Sequence, residues 1–445
     1  MTVSRTICLG FLALIVIGTL LLVLPLSTSS GEWSSLVTAL FTSTSAVCVT
    51  GLIVEDTGTY YSVFGQIVIL LLIQVGGLGY MTANTFLLLL LGRRFGLREK
   101  LAIQKSLDIP GMSGSVILVR SIIALTLAFE VTGVFLLLPV FMEDYGMGYS
   151  LWLSIFHSIS AFNNAGFSLF SDSLVGYATS VPIHIVIPGL IIFGGIGYQV
   201  IMEAYIWLRD RLQGRHGWSV FSLNFKIVTS TTLFLLVVST LMFLGIELQH
   251  PSMPVETLNP GDRLLFAWSE AVMPRTAGFN TVDYGSINAV GLFITMALML
   301  VGGSPGSTAG GIKTTTLRIL FSSTKAVLQS KEEVLCYQRQ IPVSLILKAV
   351  GVVFGSTTAI LFMTLIIGVS NPNIPFIAIV FETISAFATV GLSTGITASL
   401  SISGKLVIIC TMYIGRVGIL IFMAALLGDP QPSVVHYPEE NLLVG

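Results

Sequence analysis

The sequence predicts an all-α membrane protein built from four similar units, each with two membrane spans and a shorter apolar segment between them. Three observations lead to this prediction: an apolar composition, apolar runs of two lengths in a regular order, and a glycine motif at a nearly constant interval. Of the 445 residues, 54% are hydrophobic and 10% are charged, whereas a soluble protein carries about 25% charged residues. So few charges cannot cover several soluble domains, which excludes the soluble enzyme classes.

Two further classes are excluded by charge and cysteine usage. The formal net charge is −1, so nothing marks a nucleic-acid-binding protein. The four cysteines, Cys8, Cys48, Cys336 and Cys410, are scattered singly without paired spacing. This pattern argues against both a zinc site and a disulfide framework.

Eight apolar runs are long enough to cross a membrane as helices, since one span takes about 20 residues. They lie near residues 6–26, 61–91, 116–141, 181–208, 227–247, 287–321, 341–368 and 404–428. The first is longer than the roughly 7–15 apolar residues of a signal peptide, so it is interpreted as a span. Four shorter apolar runs lie between paired spans and are typical of re-entrant segments or buried helices. These are 36–49, 151–162, 263–273 and 375–389.

The basic residues predict the orientation. Fourteen of the 21 Lys and Arg lie in the three connections between units. They are Arg93, Arg94, Arg98, Lys100, Lys105, Arg209, Arg211, Arg215, Lys226, Lys313, Arg318, Lys325, Lys331 and Arg339. Because basic loops stay on the cytoplasmic side, we expect both termini in the cytoplasm and the short segments to enter from outside.

A shared motif closes each short segment and defines the repeat. The four stretches are Ser45-Ala-Val-Cys-Val-Thr-Gly51, Ser160-Ala-Phe-Asn-Asn-Ala-Gly166, Val272-Met-Pro-Arg-Thr-Ala-Gly278 and Ser385-Ala-Phe-Ala-Thr-Val-Gly391. Their glycines are 115, 112 and 113 residues apart, which indicates internal repetition. We expect units at 1–105, 106–218, 219–335 and 336–445, the third with an intramembrane loop and the last with a C-terminal tail.

Four short segments around one axis would bring four stretches of bare backbone to one centre. Non-helical backbone at membrane depth is tolerated only inside protein or beside a water-filled cavity. Rings of backbone carbonyls can replace the water around a cation, and the negative end of each short helix would favour a cation there. Any one of these glycines could instead serve close helix packing, but four at matched positions favour the cation site.

The strings at 160–168 and 274–280 resemble the pore loops of the Trk/Ktr/HKT superfamily of cation transporters, and the resemblance covers nearly the whole chain. The chain begins directly with the first unit and resembles the Ktr-type membrane subunits most. This resemblance implies potassium uptake through four membrane–pore–membrane repeats around one pseudo-fourfold pore, and no enzymatic activity. It implies K+ bound at backbone carbonyls of a selectivity filter, with Na+ as a second transported or coupling ion. The implied filter residues are Thr50, Gly51, Ala165, Gly166, Ala277, Gly278, Val390 and Gly391.

The resemblance also implies partners and a location. It predicts a homodimer in the cell membrane, docked on a cytosolic ring of nucleotide-binding regulatory subunits of the KtrA type. The basic connections and the tail from Asp429 would form the regulatory surface. No cofactor in this chain is expected.

A polar stretch interrupts the sixth span at 302–311 and predicts a helix broken in mid-membrane. Its residues Gly302, Gly303, Ser304, Gly306, Ser307, Thr308, Gly310, Gly311 and the following Lys313 resemble the family's gating loop. A kinked helix with small packing residues is the alternative, and a phosphate-binding loop is excluded because Ile312 separates Gly311 from Lys313. Arg416 lies about twelve residues, near 18 Å, from either end of the last apolar run. We therefore expect it to face the interior and contribute to the gate.

Polar residues near the glycine motif are predicted to support the filter. Asn163 and Asn164 would brace the second loop, and Arg275 would form an ion pair with Glu270 or Glu382. Two other functions stay open: a secondary transporter of another solute and a less selective sodium/potassium transporter. A membrane enzyme is disfavoured because Glu130 and Glu203 are solitary within the spans.

Overall fold

The computed structural model describes residues 2–79, 115–214, 221–249 and 260–428, and these residues are mostly helical. The helices are α1 Val3–Val23, α2 Leu36–Val47, α3 Thr57–Tyr60, α4 Val63–Leu78, α5 Ser115–Met142, α6 Met147–Phe162, α7 Val181–Ile196, α8 Tyr198–Leu212, α9 Leu223–Gln249, α10 Pro260–Val272, α11 Ala289–Leu300, α12 Thr314–Leu328, α13 Val343–Ser370, α14 Phe376–Ala388, α15 Ile402–Val417 and α16 Ile419–Leu427. Two 3₁₀ turns, Pro25–Ser27 and Val175–Tyr177, and one hairpin of β1 Leu335–Cys336 with β2 Arg339–Gln340 complete the described elements. The prediction of an all-α membrane protein is confirmed.

The long apolar helices α1, α5, α9 and α13 are those that open each predicted unit. Within the described ranges, these four alone are long and apolar enough to cross a membrane, and up to six spans result if two bent helix pairs each count as one. The short apolar helices α2 and α14 contain 12 and 13 residues, too few for a span of about 20. The chain is therefore a multi-pass membrane protein in which long and short apolar helices alternate.

Two predicted spans are wrong as continuous helices. The run at 181–208 forms α7 and α8, which meet at 102°, and the run at 404–428 forms α15 and α16, which meet at 97°. The cause is backbone geometry, since Gly197 and Gly418 at the two breaks have φ values of 94° and 88°. Residues that carry a side chain rarely adopt such positive φ values, so glycine allows the chain to turn at these two positions. The predicted run 61–91 is described only as far as Gly79, where α4 has ended.

The second helix of each unit packs against the short helix of the next unit. The four pairs are α4 with α6, α7 with α10, α11 with α14, and α15 with α2. The last pair joins the end of the chain to its beginning. The helices therefore close into a ring, with the short helices α2, α6, α10 and α14 on its inner side, where their C-terminal ends meet.

Polar caps start the second helices at the same point in three units. The side chains of Ser62, Asn288 and Ser401 accept hydrogen bonds from the backbone N–H of Gly65, Gly291 and Gly404. Such a cap satisfies one of the free N–H groups at a helix start. These caps fix where α4, α11 and α15 begin after the backbone has returned from the ring centre.

Candidate functional site

The four motif glycines meet one another at the centre of the ring of helices. A Cβ atom added to each glycine would press on the carbonyl oxygen of the residue that precedes another of the four. The pairs are Gly51 with Ala165, Gly166 with Ala277, Gly278 with Val390, and Gly391 with Thr50. The first three distances would be 2.5, 2.8 and 2.5 Å, and the fourth contact would be closer still. These four glycines, called the glycine ring below, thus form a closed circle with no room for side chains.

The backbone conformation before the glycine ring repeats four times. The residue two positions before each glycine is left-handed, although none of these residues is a glycine. They are Val49, Asn164, Thr276 and Thr389, with φ between 52° and 64°, and each ring glycine also has a positive φ. A β-branched residue in this region is strained and usually marks a functional constraint. Of these residues only Asn164 was among the predicted supports of the filter, and Val49, Thr276 and Thr389 were missed, since the sequence offered only the fixed offset of two positions as a signal.

Serines at the end of the short helices hold three of the four loops. The hydroxyl oxygens of Ser45 and Ser385 each accept a 3.1 Å hydrogen bond from the N–H of Gly51 and Gly391. Ser160 instead donates 2.7 Å to the carbonyl of Phe167, just beyond Gly166. The third unit has Val272 at this position, so its loop lacks the serine contact. The motif serine is therefore a loop support in units one, two and four.

A second set of buried polar side chains ties each short helix to the chain after its loop. The Glu382 carboxylate accepts hydrogen bonds from the hydroxyls of Ser393, at 2.9 Å, and Thr397. Glu270 accepts from Thr281 and Tyr284 at 2.8 and 2.5 Å. The corresponding contacts in the other two units are His157 Nε2 with Ser168 Oγ at 3.0 Å and Tyr61 donating to Thr42 at 3.0 Å.

The expected ion pair of Arg275 is not found. Both candidate carboxylates bind hydroxyl groups, and within the described part of the chain the structure shows no pair of Arg275 with Glu270 or Glu382. Arg275 is 8% exposed, and its Nε has no hydrogen-bond partner. It lines a small cavity together with Thr232, whose hydroxyl is also buried without a partner. Each glutamate instead accepts hydrogen bonds from hydroxyls of its own unit.

The stretch 302–311 forms a closed loop rather than a kinked helix. At its base, Gly302 N–H donates 3.0 Å to the Ile312 carbonyl, and Ile312 N–H donates 3.2 Å to the Leu300 carbonyl. Inside it, Ser307 donates to the Ser304 carbonyl at 2.7 Å. Beyond its end, Lys313 Nζ donates to the Ala309 carbonyl at 2.7 Å. Gly306 and Gly311 both have a φ of 66°, which allows the two reversals of the loop.

This loop packs against the bend of α7 and against the glycine-ring loops. The N–H groups of Ser304 and Thr308 donate to the Gly195 and Gly194 carbonyls at 2.9 and 3.2 Å, and Tyr198 N–H donates to the Gly306 carbonyl at 3.1 Å. On the other side, a Cβ at Gly302 would lie 3.2 Å from Thr276 Cγ2, and one at Gly310 would overlap the Thr389 hydroxyl. The loop therefore touches the two left-handed threonines.

A second repeated motif, which was not predicted from the sequence, places α4, α7 and α15 against the short helices. It reads Gly76-Gly77-Leu78-Gly79, Gly194-Gly195-Ile196-Gly197, Gly302-Gly303-Ser304-Pro305 and Gly415-Arg416-Val417-Gly418. A Cβ at its first glycine would overlap a carbonyl at the end of a short helix: Val47 for Gly76, Phe162 for Gly194 and Phe387 for Gly415. The recurring Gly-Gly-x-Gly was the available signal. Arg416 takes the place of the second glycine.

Arg416 connects the loop to the first unit. Its guanidinium donates 2.5 Å hydrogen bonds to the Thr308 carbonyl and to the Gly76 carbonyl at the end of α4. The expectation that it lies in the middle of a long span is wrong, because α15 ends one residue later at Val417. A guanidinium with five donors can serve several free carbonyls, and here it joins two chain breaks.

Asn163 and Asn164 both lie at the junction of the second glycine-ring loop with its neighbours. Asn163 Nδ2 donates to Gln74 Oε1 and Glu130 Oε1, both at 3.0 Å. The Asn164 amide lies 3.1 Å from the Thr308 hydroxyl, in either orientation of the amide. The two asparagines thus reach α4 on one side and the 302–311 loop on the other.

Comparisons with known proteins agree with this architecture. The family model described as TrkH, cation transport protein, matches residues 4–437. The Ktr system potassium uptake protein B of Bacillus subtilis is 38% identical over 445 residues, covering 100% of this chain and 97% of the relative. The potassium/sodium uptake protein NtpJ of Enterococcus hirae is 37% identical, covering 99% of this chain and 97% of the relative. The crystal structure of the potassium transporter TrkH from Vibrio parahaemolyticus matches with a TM-score of 0.72 at 18% identity, over 95% of this chain and 85% of that one, which supports the fold.

Proposed function

We propose that this chain, which belongs to the TrkH family of cation transport proteins, is the potassium-translocating subunit of an uptake system in the cell membrane. The observation that supports it most is the closed glycine ring, in which each glycine lies against the carbonyl before another. The choice of potassium follows the name of the Bacillus subtilis relative. The units 1–105, 106–218, 219–335 and 336–445 then surround one pathway.

The glycine ring acts as the selectivity filter in this proposal. The backbone carbonyls of Thr50, Gly51, Ala165, Gly166, Ala277, Gly278, Val390 and Gly391 replace the water of the ion. The alternation of a left-handed residue, an ordinary residue and a left-handed glycine supports this role, because it repeats in all four loops. The C-terminal ends of α2, α6, α10 and α14 add partial negative charge near the cation.

The 302–311 loop acts as the gate. It packs against Thr276 and Thr389, directly beside the glycine ring, so an ion leaving the ring meets it next. Arg416 holds the loop by its bond to Thr308 and adds a positive charge that opposes a passing cation. Opening requires the loop to leave the bend of α7 and the Arg416 guanidinium. The structure described here then corresponds to the closed state.

Assembly and orientation complete the proposal. The name of the relative refers to a system, which supports a second component, and we infer a homodimer on a cytosolic ring of nucleotide-binding subunits of the KtrA type. Both termini lie in the cytoplasm, in keeping with the basic connections of the sequence. Arg209, Arg211, Lys325 and Lys331 belong to the described part of this surface. The connection at 93–105 and the tail from Asp429 lie outside the described residues.

A less selective function has one specific observation in its favour. The Enterococcus hirae relative is named a potassium/sodium uptake protein, so Na+ is the second candidate ion. The same glycine ring would serve both ions, and sequence identity does not separate the two relatives.

Ion flux in liposomes tests both candidates. The purified chain is reconstituted alone, and uptake of 86Rb+ as a potassium tracer is measured against competing K+ and Na+. Uptake that K+ inhibits far more strongly than Na+ is expected, and equal inhibition would favour the less selective function. Liposomes that contain the folded chain but no tracer flux, with and without the Arg416→Gln change, would overturn the proposal.

A further inference from the structure

A buried carboxylate in α5 has only uncharged partners. Glu130 is 4% exposed, and it accepts hydrogen bonds from Gln74 Nε2 at 3.3 Å and from Asn163 Nδ2 at 3.0 Å. Asn163 Nδ2 also donates to Gln74 Oε1 at 3.0 Å, so the three side chains form a closed cluster. Among the described residues, no basic side chain pairs with Glu130. We call Gln74, Glu130 and Asn163 the carboxylate cluster.

The carboxylate is costly where it lies. Ionisable residues within membrane segments are rare and usually mark a functional site. A buried polar network is also often less stable than an apolar core of the same volume. A packing role alone would therefore be met by a leucine or methionine at position 130. Each member of the cluster comes from a different helix, so the cluster fixes the relative position of α4, α5 and the end of α6.

Both ends of the cluster reach the proposed pathway. Asn163 directly precedes the left-handed Asn164 and lies three residues before Gly166 of the glycine ring. Gln74 lies two residues before Gly76, whose carbonyl accepts a hydrogen bond from Arg416. Gly77 also touches the cluster, since a Cβ there would overlap Asn163 Oδ1. A shift of the end of α4 would therefore displace both the Arg416 guanidinium and the second glycine-ring loop.

We propose that the carboxylate cluster couples the filter to the gate, with Glu130 as the positioning residue that holds the end of α4 against the second glycine-ring loop. This inference rests on the proposed function. A carboxylate can accept from both neighbouring amides at once because it has no donor. A glutamine at position 130 would turn its own NH2 group towards the NH2 group of one neighbouring amide. That hydrogen bond would be lost, although the shape of the side chain would hardly change.

The exchange of the two polar groups gives a sharp test. Glu130→Gln should weaken the cluster. Glu130→Gln combined with Gln74→Glu exchanges the carboxylate and the amide. The carboxylate at position 74 can then accept from Asn163 and from the new amide at position 130, so that all three hydrogen bonds of the cluster can form again. Glu143→Gln, in an exposed loop, is the matched control for the loss of an acidic group. All variants are reconstituted in liposomes, and flux is normalised to the folded protein that elutes as a single peak.

We expect Glu130→Gln to lower the preference for K+ over Na+ by about tenfold, equivalent to 1.4 kcal/mol, and to raise flux. The exchange variant should return both values to within about twofold of the wild type, and Glu143→Gln should change neither. In an Arg416→Gln background, Glu130→Gln should raise flux no further, because coupled residues are not additive.

Two results would overturn the inference while leaving the proposed function intact. The first is a Glu130→Gln protein that is less heat-stable but conducts with wild-type selectivity and flux. The second is a flux increase that adds fully to that of Arg416→Gln. If Glu130→Gln does not fold, the exchange variant decides: wild-type selectivity supports the coupling, and a folded exchange variant without selectivity contradicts it. A wild-type chain without flux would instead contradict the proposed function.

Discussion

The most direct test of the filter is Gly51→Ser, because the geometry at this residue sets the size of the effect. The new Cβ would lie 2.5 Å from the Ala165 carbonyl oxygen, whereas ordinary contact begins at 3.4 Å. The carbonyl must move away by up to about 0.9 Å, which exceeds the roughly 0.5 Å that a preorganised site tolerates. The backbone of the new serine must also keep the φ of 92° that Gly51 has, and this conformation costs a residue with a side chain about 1–2 kcal/mol.

Gly31→Ser separates these two effects. Gly31 has a φ of 71°, and a Cβ there would meet nothing within 4 Å. Both variants carry the backbone cost, but only Gly51→Ser displaces a carbonyl of the glycine ring. We therefore expect both proteins to lose thermal stability, and Gly51→Ser to lose more because of its overlap with the Ala165 carbonyl. We expect a fall of about tenfold or more in the preference for K+ over Na+ in Gly51→Ser alone, where tenfold corresponds to 1.4 kcal/mol.

The assay is 86Rb+ uptake into liposomes with K+ or Na+ as the competing ion. The ratio of the two inhibition constants reports selectivity and is independent of how much protein is inserted. A folded Gly51→Ser protein with the wild-type ratio would refute the filter assignment. Equal loss of selectivity in Gly31→Ser would show that backbone strain, and not the ring contact, is responsible.

Three further predictions follow from the other contacts. Arg416→Gln removes the charged donor to the Thr308 carbonyl, and such a hydrogen bond is worth about 1.5–3 kcal/mol. Flux in liposomes should therefore rise at least tenfold, whereas the control Lys331→Gln, at an exposed position, should leave it unchanged. Unchanged flux in Arg416→Gln would contradict the assignment of the gate. Glu382→Gln turns an amide donor towards the Ser393 hydroxyl, so the midpoint of thermal unfolding in detergent should fall by several degrees. A midpoint equal to that of Glu143→Gln, at an exposed position, would show that the contact is dispensable. The purified chain should show no heat of ATP binding in calorimetry, because nucleotide control is assigned to the partner subunit, and tight binding would contradict that division.

The sequence was sufficient to predict the meeting of the four glycines because the constraint is written as a repeated residue. Only glycine leaves space for the neighbouring carbonyl, so glycine recurs at positions 51, 166, 278 and 391. The left-handed residues before them were not predictable in the same way. Val49 and Thr389 are poor choices for that conformation, and the surrounding contacts force it on them. Tertiary packing, which one sequence does not display, decides their backbone.

Arg416 was expected to face the interior on the basis of a continuous helix that the structure does not contain. Its distance from the ends of the apolar run assumed one straight span, but Gly418 turns the chain by 97° just after it. The guanidinium is thus at a helix end, where free carbonyls of α4 and of the 302–311 loop are available. Alignment of the Gly-Gly-x-Gly motifs explains why an arginine fits. In other units the glycine at this position leaves room for a neighbouring side chain, Asn163 at Gly77 and Ala309 at Gly303, and in the fourth unit the arginine extends its own side chain to the loop and to α4. One substitution in a repeated packing motif therefore ties the loop to the end of α15 and, through the same guanidinium, to the end of α4.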